Sequence, residues 1–574
     1  TAIGEGIRRL IGGRGNYVCT TKTLQDQFAE DFASGVVLKG RANYDPNIIE
    51  WARTHAPHRI EHGGDLVGVT AADCNHTNSK ACMLCDEAQF EVGEDPFAGL
   101  WETGGSGHGF GGGQGVLEAG GGGGLDSSPF AVLGSCCYVQ AKKAAERADL
   151  NIVNTAYFIR VANSRSPRDG VSTDADGNMV STQGIAGRKV VICDEADTLE
   201  QQIMGWAEVQ VGADLVARHK IPKPDRVTVS EHWPSWIEEF VIPALMKDVE
   251  SAKGDLEKST GMGGVKIRRR IAGIVNKLES LELVCESIRL GGVWILDDYQ
   301  DSRPTYTFKP VDVSEFGDMA LWDHGEFFVL MSATFIDAVA YAKSIGLAAR
   351  DIEVIKVPSS FPIQHRPVVN MAIAANTYKN KDTAQPLIAR NIVSLARKHA
   401  GERVLVHSVS YEFTRFVVEE LEAAGLDYPI ITYDHGTKRQ AALELYTQTP
   451  GAVAVAPSWD RGVDLPGDLC RVQIIAKVPF PSLGDKLVSA KMHSPGGAAW
   501  YVQETIRTLV QMVGRGCRSS DDWCWTYILD ESFMRILREN NRFLPEFFRL
   551  ALTGPGFVGW CQRDVDARMK TARY

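Results

Sequence analysis

Short apolar runs alternate with amphipathic stretches in both halves of the chain, whereas the middle shows a different pattern. The candidate strands of the first half are "NYVCT", "KVVICDEAD" and "EFFVLMSAT"; those of the second half are "RVLVHS", "YPIITY", "AVAVAP", "RVQIIAKV" and "WTYILD". Strands that alternate with helices are typical of α/β proteins with parallel sheets. The pattern therefore predicts two parallel sheets, one in each half.

Two segments depart from this alternation. Residues 233–289 show a helical pattern that contains "IPALMKDVESAKGDLEKS" and "KIRRRIAGIVNKLESLELVCESI", with the glycine-rich "TGMGG" between them. We interpret this segment as a helical arm. Residues 103–124, "TGGSGHGFGGGQGVLEAGGGGG", cannot bury enough apolar surface to order themselves, so we predict a mobile loop there.

Composition limits the class of protein. A chain of 574 residues with 44% hydrophobic content can bury several cores, and its length suggests about three to four domains. The net charge of -11 argues against a surface that is basic throughout, so any contact with nucleic acid needs a local positive groove. No apolar run approaches the ~20 residues that span a bilayer. We therefore expect a cytoplasmic protein without membrane contact.

Nine of the twelve cysteines fall into two groups. Twelve in 574 residues are far too few for a disulfide scaffold. One group lies in strand or helix patterns and is expected to be buried: Cys19, Cys193, Cys285 and Cys470. The other group has the spacing C-x7-C-x2-C, followed after a long insertion by a Cys-Cys pair: Cys74, Cys82, Cys85, Cys136 and Cys137. With His76 nearby, C-x2-C is also half of a zinc site.

Acidic residues follow one predicted strand of the first half, in "VVICDEADTLE". The carboxyl ends of parallel strands are where α/β sheets hold ligands. In a nucleotide hydrolase Asp194 would hold magnesium through its water shell, Glu195 would orient and polarise the attacking water, and Asp197 would lie on the nucleotide side. The alternative is structural, because Asp and Glu also favour the first turn of a helix.

Arginines in "QMVGRGCRSSDD" provide a second candidate group. Arg515 and Arg518 are three apart, which predicts that both guanidinium groups lie on one face of a helix, with Gln511 just before them. Planar guanidinium groups suit a phosphate whose charge is redistributed during transfer, whereas an isolated pair is more often a solvated surface feature. Here the pair is joined by Gly462 and Asp464, in a turn after "AVAVAP".

In chain order these segments resemble the motifs of superfamily 2 helicases of the XPD/DinG type, over nearly the whole chain. "VCTTKTLQDQF" resembles motif Ia, "LKGRANY" the entry to the iron-sulfur domain, "DEAD" motif II and "SAT" motif III. "VLVHSVSYEFT" resembles motif IV, "DRGVDLPGD" motif V and "QMVGRGCR" motif VI, and "IIAKVPFPSLGD" is similar to the stretch before motif VI. Seven elements in this order are hard to assemble by chance.

The resemblance implies an α/β fold with two RecA-like, parallel-sheet motor domains, and with an iron-sulfur insertion and a helical arch or arm inserted in the first. The first motor domain is expected at residues 1–43, 138–228 and 321–362. The iron-sulfur insertion is expected at 44–137, the arm at 229–320 and the second motor domain at 363–574.

The resemblance also implies a four-iron four-sulfur cluster held by Cys74, Cys82, Cys85 and Cys136. Cys136 is preferred over Cys137 because "CCYVQAKKAAERADLNIVNTAYF" resembles the "CPY" segment of the family. Many relatives have a cysteine just after "KGRxNY", where this chain has Asp45 and Pro46. Cys74 must then supply the first thiolate, and a structural zinc is the alternative metal.

The implied function is that of an ATP- and Mg²⁺-dependent DNA helicase. It would move 5′ to 3′ on single-stranded DNA as a monomer and act on forked or 5′-tailed duplexes. The expected DNA contacts come from Thr21, Lys22, Arg41, Asn43 and Ser408. The run "KIRRR" could also line a strand channel, although we interpret it as a solvated helical face.

The start of the chain departs from the family pattern, because no lysine precedes Lys22. Placing Thr1–Gly6 on the phosphate-loop pattern "TGxGK[ST]" makes Gly4, Glu5 and Gly6 the nucleotide-contact candidates, with Glu5 in the place of the lysine. Three explanations stay open: missing upstream residues, a real substitution, or a gap after Gly6. A real substitution would favour a non-hydrolytic single-stranded-DNA-binding or scaffold protein.

Overall fold

The computed structural model describes residues 2–20, 25–26, 28, 35–39, 43, 137–163, 171–173, 179–181, 185, 187–224, 230–259, 261–299, 304–348, 351–434, 439–459, 463 and 465–553. They form two compact units. Unit 1 comprises the chain up to Ser332 together with residues 344–346, and unit 2 comprises residues 333–343 and those from Leu347 onward. Within these described ranges, no helix is both long enough and apolar enough to cross a membrane.

Unit 1 contains ten strands and nine helices among its described residues. The strands are β1 (Gly15–Cys19), β2 (Gly35–Leu38), β3 (Leu150–Asn154), β4 (Val171–Thr173), β5 (Met179–Ser181), β6 (Arg188–Cys193), β7 (Val209–Val211), β8 (Trp294–Tyr299), β9 (Thr305–Pro310) and β10 (Gly325–Leu330). The helices are α1 (Ala2–Ile11), α2 (Cys137–Arg147), α3 (Thr155–Ala162), α4 (Leu199–Ala207), α5 (Ala213–His219), α6 (Trp233–Trp236), α7 (Ile242–Lys258), α8 (Gly261–Arg289) and α9 (Gly317–Ala320).

The main sheet of unit 1 has five parallel strands in the order β10-β6-β1-β3-β2. The three strands predicted in the first half are β1, β6 and β10, and all three are confirmed. The inner strands are buried on both faces, which explains why they consist of nearly continuous apolar residues. Their carboxyl ends lie at one edge of the sheet, so the residues that follow β6 and β10 are brought close together.

The helical segment predicted at residues 233–289 is confirmed as α6, α7 and α8, of which α7 and α8 pack against each other. A short π-helix, Ile237–Val241, precedes α7, and the glycines of "TGMGG" fall in the first turn of α8. An antiparallel sheet in the order β7-β9-β8 was not predicted. Aromatic contacts join it to the arm, with ring centroids 5.6 Å apart for Trp233 and Phe308 and 5.3 Å apart for Trp236 and Tyr306.

Unit 2 is described over seven strands and eight helices. The strands are β11 (Val368–Ala374), β12 (Val404–His407), β13 (Ile430–Thr432), β14 (Val453–Ala456), β15 (Val472–Ile475), β16 (Trp525–Asp530) and β17 (Leu552–Thr553). The helices are α10 (Ala338–Ser344), α11 (Lys381–Lys398), α12 (Tyr411–Ala423), α13 (Arg439–Gln448), α14 (Lys486–His493), α15 (Gly497–Val513), α16 (Ser532–Asn540) and α17 (Glu546–Ala551); the last residue of α10 is counted with unit 1.

The sheet of unit 2 has seven parallel strands in the order β13-β14-β12-β15-β16-β11-β17. The five strands predicted in the second half are confirmed as β12 to β16. β11 and β17 were not predicted. One face of the sheet packs on α12 through Phe413 and Val417, which are fully buried. Together with unit 1, this confirms an α/β protein built on two parallel sheets.

The four cysteines expected in apolar cores are buried: Cys19, Cys193, Cys285 and Cys470. Burial raises the pKa of Cys19 and of Cys193 to about 12. These two thiols therefore stay protonated at neutral pH and act as packing groups, as predicted.

Candidate active site

Asp194 lies directly after β6, at the carboxyl edge of the unit 1 sheet. Its backbone N–H donates to the carbonyl oxygen of Val18 at 2.9 Å, so the register of the sheet extends to it. The Tyr17 hydroxyl donates to Asp194 Oδ2 at 3.1 Å, and the backbone N–H of Glu195 donates to Asp194 Oδ1 at 3.0 Å. The carboxylate is therefore held in place by two donors.

Glu195 has a left-handed backbone, with φ of 48°, and an exposed side chain. This conformation costs a non-glycine residue roughly 1–2 kcal/mol. The flanking residues hold it there: Ala196 N–H donates to the Met331 carbonyl at 2.9 Å, and Thr198 Oγ1 donates to the Glu195 carbonyl at 2.8 Å. Strain of this kind persists at functional positions, and here it falls on the residue predicted to activate water.

Asp197 is almost completely buried, with 3% exposure. Its Oδ1 accepts a hydrogen bond from Ser332 Oγ at 2.8 Å. The segments "DEAD" and "SAT" therefore meet within unit 1, because β6 and β10 are neighbouring parallel strands. The sequence identified both segments but did not predict the bond between them.

Gly4, Glu5 and Gly6 lie inside α1. A Cβ on Gly4 would come within 2.7 Å of Ile192 Cγ2, so glycine permits the close approach of α1 to the end of β6. Glu5 is buried, and its carboxylate oxygens lie 2.6 Å from Arg8 Nε and 2.8 Å from Arg9 Nε. The hydrogen bond from Arg8 lowers the pKa of Glu5 despite burial, which keeps the carboxylate charged.

The donor set at the end of β6 fits magnesium, because Asp194 and Glu195 supply the carboxylate oxygens that this ion prefers. The segment from Gly4 to Gly6 offers a carboxylate that two arginines already neutralise. It supplies no cationic side chain of its own for the phosphates of a nucleotide.

Arg515 and Arg518 lie after the end of α15, which stops at Val513. The prediction that one helix carries both residues is therefore wrong. Gly514 caps the helix, and the chain then passes so close to β15 and β16 that a Cβ on Gly516 would lie 2.7 Å from the Cys470 carbonyl oxygen. Arg515 Nη1 donates to the Val463 carbonyl at 2.6 Å, whereas the Arg518 side chain is exposed.

Asp522 braces the segment that carries the two arginines, and the sequence analysis did not single it out. It is 6% exposed and accepts hydrogen bonds at 2.6–3.1 Å from Arg471 Nη1 and from the backbone N–H groups of Gly467, Arg518 and Trp523. Burial alone would raise the pKa of Asp522, but these hydrogen bonds outweigh it and lower the pKa below the ordinary 3.8.

Because the folded state lowers the pKa of Asp522, its stabilising contribution is present above pH 3.8 and is lost as the pH falls through the lowered value. We expect Asp522→Asn to lower the free energy of unfolding of unit 2 by about 2 kcal/mol near neutral pH. Because asparagine does not titrate, the variant should lose less stability than the wild type when the pH falls below 3.8. Urea unfolding near neutral pH and below pH 3.8 measures both effects. Asp521→Asn, at the exposed neighbouring position, is the matched control; equal effects of the two variants would contradict the role of Asp522.

Gln511 lies on α15, and its Nε2 donates to Thr334 Oγ1 at 3.2 Å. Both residues belong to unit 2, because residues 333–343 are counted with it. The structure thus joins the "SAT" and "QMVGRGCR" segments in that unit by one side-chain hydrogen bond.

The candidate DNA contacts are only partly described. Asn43 is exposed. Ser408 is fully buried, with its Oγ 2.6 Å from Thr414 Oγ1, so its side chain is not presented at the surface where a DNA strand could contact it. The remaining candidates lie outside the described residues: Thr21, Lys22 and Arg41 for DNA, and Gly462 and Asp464 for the nucleotide.

The four candidate cluster ligands, Cys74, Cys82, Cys85 and Cys136, also lie outside the described residues, as does the glycine-rich segment 103–124. Across the part of the chain that the structure does describe, no group of three or more His, Cys, Asp or Glu side chains could hold a metal ion. The metal site therefore stays a prediction of the cysteine spacing.

Comparison with known proteins gives a family match and several related chains. Residues 392–548 match the family described as the helicase C-terminal domain. The ATP-dependent DNA helicase YoaA of Escherichia coli (strain K12) is 30% identical over 151 residues, which cover 24% of this chain and 23% of YoaA. The match thus spans about a quarter of that relative's length. Residues 392–548 therefore carry a helicase C-terminal domain, and the chain is similar to helicases of the XPD/DinG type.

Two solved structures of XPD proteins also match this chain. A structure of an XPD helicase is 12% identical, covers 95% of this chain and 92% of its own chain, and has a TM-score of 0.49. The structure of S. tokodaii Xpd4 is 16% identical, covers 72% of this chain and 83% of its own, and has a TM-score of 0.41.

Proposed function

We propose that the protein is an ATP-dependent DNA helicase that moves 5′ to 3′ along single-stranded DNA and unwinds duplexes. The observation that carries this proposal is the arrangement at the end of β6, where Asp194 is fixed by two donors and Glu195 has a strained, left-handed backbone. A carboxylate pair at the carboxyl end of a buried parallel strand is what nucleotide hydrolysis requires. The helicase C-terminal match supports the same class of activity.

In this proposal, each candidate residue has a stated role in ATP hydrolysis. Bound Mg²⁺ and ATP supply the transferable phosphate and the charge that offsets it. Asp194 would hold magnesium through its water shell and Glu195 would accept the proton of the attacking water, while Asp197 is fixed by a hydrogen bond from Ser332. Arg515 and Arg518, with Gln511, neutralise charge on the transferred phosphate. Gly462 and Asp464 would complete the nucleotide contacts.

We further propose that Cys74, Cys82, Cys85 and Cys136 hold a four-iron four-sulfur cluster, because thiolates are the ligands that such clusters take. Purified protein should be brown, with absorbance near ~400 nm that disappears when the four cysteines are changed to serine. If the purified protein is colourless and contains one zinc ion per chain, the cysteines bind zinc and the cluster proposal is rejected.

The direct test is phosphate release from ATP, with and without single-stranded DNA, followed by strand separation on forked, 5′-tailed and 3′-tailed duplexes. We expect stimulation by single-stranded DNA and unwinding of the forked and 5′-tailed substrates by a monomer. Unwinding only of the 3′-tailed substrate would overturn the proposed direction. A cytoplasmic setting is part of the same proposal.

A second function is favoured by one observation, the pairing of Glu5 with Arg8 and Arg9 where the family has a lysine. In that case the protein binds single-stranded DNA as a scaffold and does not hydrolyse ATP. Tight binding of single-stranded DNA without phosphate release would support the scaffold and reject the helicase.

A further inference from the structure

Toward its carboxyl edge, the unit 2 sheet carries backbone strain at two positions, one within a strand and one just after a strand. Ala372, near the end of β11, has φ of 46°, and the pairing of β11 with β16 changes register between Asn370 and Ala374. Val409, just after β12, has φ of 67°, which is unusual for a β-branched residue. Bulges and left-handed residues of this kind re-aim loops and concentrate at functional sites.

The loop after β11 presents an isolated aromatic side chain. Tyr378 is 89% exposed, and its sequence neighbours Thr377, Lys379 and Asn380 are exposed as well. Its neighbours in the chain are polar, so the loop does not form an apolar patch of the kind that docks a protein. The ring is oriented by Lys381, whose Nζ lies 5.8 Å from the ring centroid.

Cations surround this loop, although the chain as a whole is acidic. Lys381 Nζ lies 2.8 Å from Glu412 Oε1, which ties the start of α11 to the start of α12. Lys381 lowers the pKa of Glu412 most, and Arg415 and Lys477 lower it further. Lys379 lies next to Tyr378 in the chain and is exposed, so Lys379 and Lys381 flank the tyrosine. This is the local positive surface that a nucleic-acid contact needs in such a protein.

The loop lies at the edge of the sheet opposite the arginines proposed for hydrolysis. Arg518 is held by Asp522, which pairs with Arg471, and these two residues come just before β16 and β15. Tyr378 and Lys379 come after the end of β11. Since all strands of this sheet are parallel, the two groups are separated by the length of the strands. The Tyr378 edge is therefore free for a ligand other than the hydrolysed nucleotide.

We infer that Tyr378, Lys379 and Lys381 form a binding site for single-stranded DNA, in which the tyrosine ring stacks on an unpaired base and the lysines contact the flanking phosphates. This inference rests on the proposed DNA helicase function and adds a binding position to it. A single strand fits because its bases are free to stack, whereas in a duplex both faces of each base are covered. Lysine ammonium groups supply the phosphate contacts without selecting a sequence.

The test is the affinity of the full chain for a fluorescent thymidine oligonucleotide, measured by anisotropy. We expect Tyr378→Ala to weaken binding about tenfold, because stacking on an aromatic ring contributes on this scale for each base. Tyr378→Phe should keep most of the affinity. With an abasic oligonucleotide of the same length, wild type and Tyr378→Ala should bind equally.

Lys379→Ser should weaken binding to both oligonucleotides and reduce the salt dependence by about 0.7 in the log–log slope. Lys398→Ser is the matched control, because Lys398 is exposed at the other end of α11 and the change in charge is the same. Phosphate release without DNA should be unchanged in Tyr378→Ala.

Two results would overturn the inference while leaving the helicase proposal in place. One is wild-type affinity of Tyr378→Ala for the thymidine strand; the other is an equal loss with the abasic strand, which would exclude stacking. Failure of the wild-type chain to bind any single-stranded DNA would instead reject both proposals.

Discussion

Glu195→Gln is expected to lower phosphate release stimulated by single-stranded DNA by a factor of about 10²–10⁴, the usual contribution of a general base. Glutamine keeps the size of the side chain but cannot accept a proton from the attacking water. The left-handed backbone at this position strains both residues alike, so folding should be unaffected. Steady-state phosphate release and thermal unfolding of the same preparation measure the two effects.

Glu208→Gln provides the matched control, because Glu208 is exposed just after α4 and undergoes the same chemical change. It should hydrolyse ATP at the wild-type rate. Continued turnover in Glu195→Gln would remove Glu195 from the proposed chemistry. A large loss of stability in that variant would show that Glu195 acts in folding.

Arg518→Ala is expected to lower kcat about 10³-fold or more while changing the KM for ATP only a few-fold. A guanidinium that stabilises charge on a transferred phosphate contributes on this scale, and mainly in the transition state. The Arg518 side chain is exposed, and its backbone N–H is held by Asp522 at 3.1 Å. The loop should therefore keep its conformation when the side chain is removed. Arg515→Ala is a less specific test, since the Arg515 guanidinium also bonds to the Val463 carbonyl.

Arg518→Lys separates charge from shape, because lysine keeps the positive charge but lacks the planar arrangement of donors. We expect it to recover only part of the rate. Arg535→Ala is the control: Arg535 is an exposed arginine of the same unit whose ion pair with Glu539, at 3.7 Å, contributes little. Equal kcat in Arg518→Ala and Arg535→Ala would show that Arg518 takes no part in hydrolysis.

The buried central strands were the most predictable part of the fold. β6, β12, β14, β15 and β16 are mostly apolar runs because both faces of each strand are covered. β11 was missed, since its sequence "VVNMAIA" is interrupted by Asn370 and its backbone is irregular at Ala372. The antiparallel sheet was missed for another reason: β7 pairs with β9, which lies far along the chain, and no local pattern records that pairing.

In the candidate site, too, the residues marked by a local sequence pattern were predictable and those that depend on distant contacts were not. Asp194 and Glu195 were predictable because an apolar run that ends in two acids is a local feature of the sequence. The brace formed by Asp522 was not, because its donors come from Gly467, Arg471, Arg518 and Trp523, on separate parts of the chain. The helix expected around Arg515 and Arg518 ends early, since the contact that requires Gly516 is made with residues before β15 and β16.

By itself, the sequence determined the α/β class, the order of the motifs and the identity of the acids and arginines, because periodicity and spacing are properties of neighbouring residues. Only the tertiary structure decided that Glu195 is strained, that Ser408 is buried, that Glu5 is neutralised by arginines and that Tyr378 is exposed among cations. Backbone strain, burial and charge depend on which distant segments pack together, and the chain acquires those neighbours only when it folds.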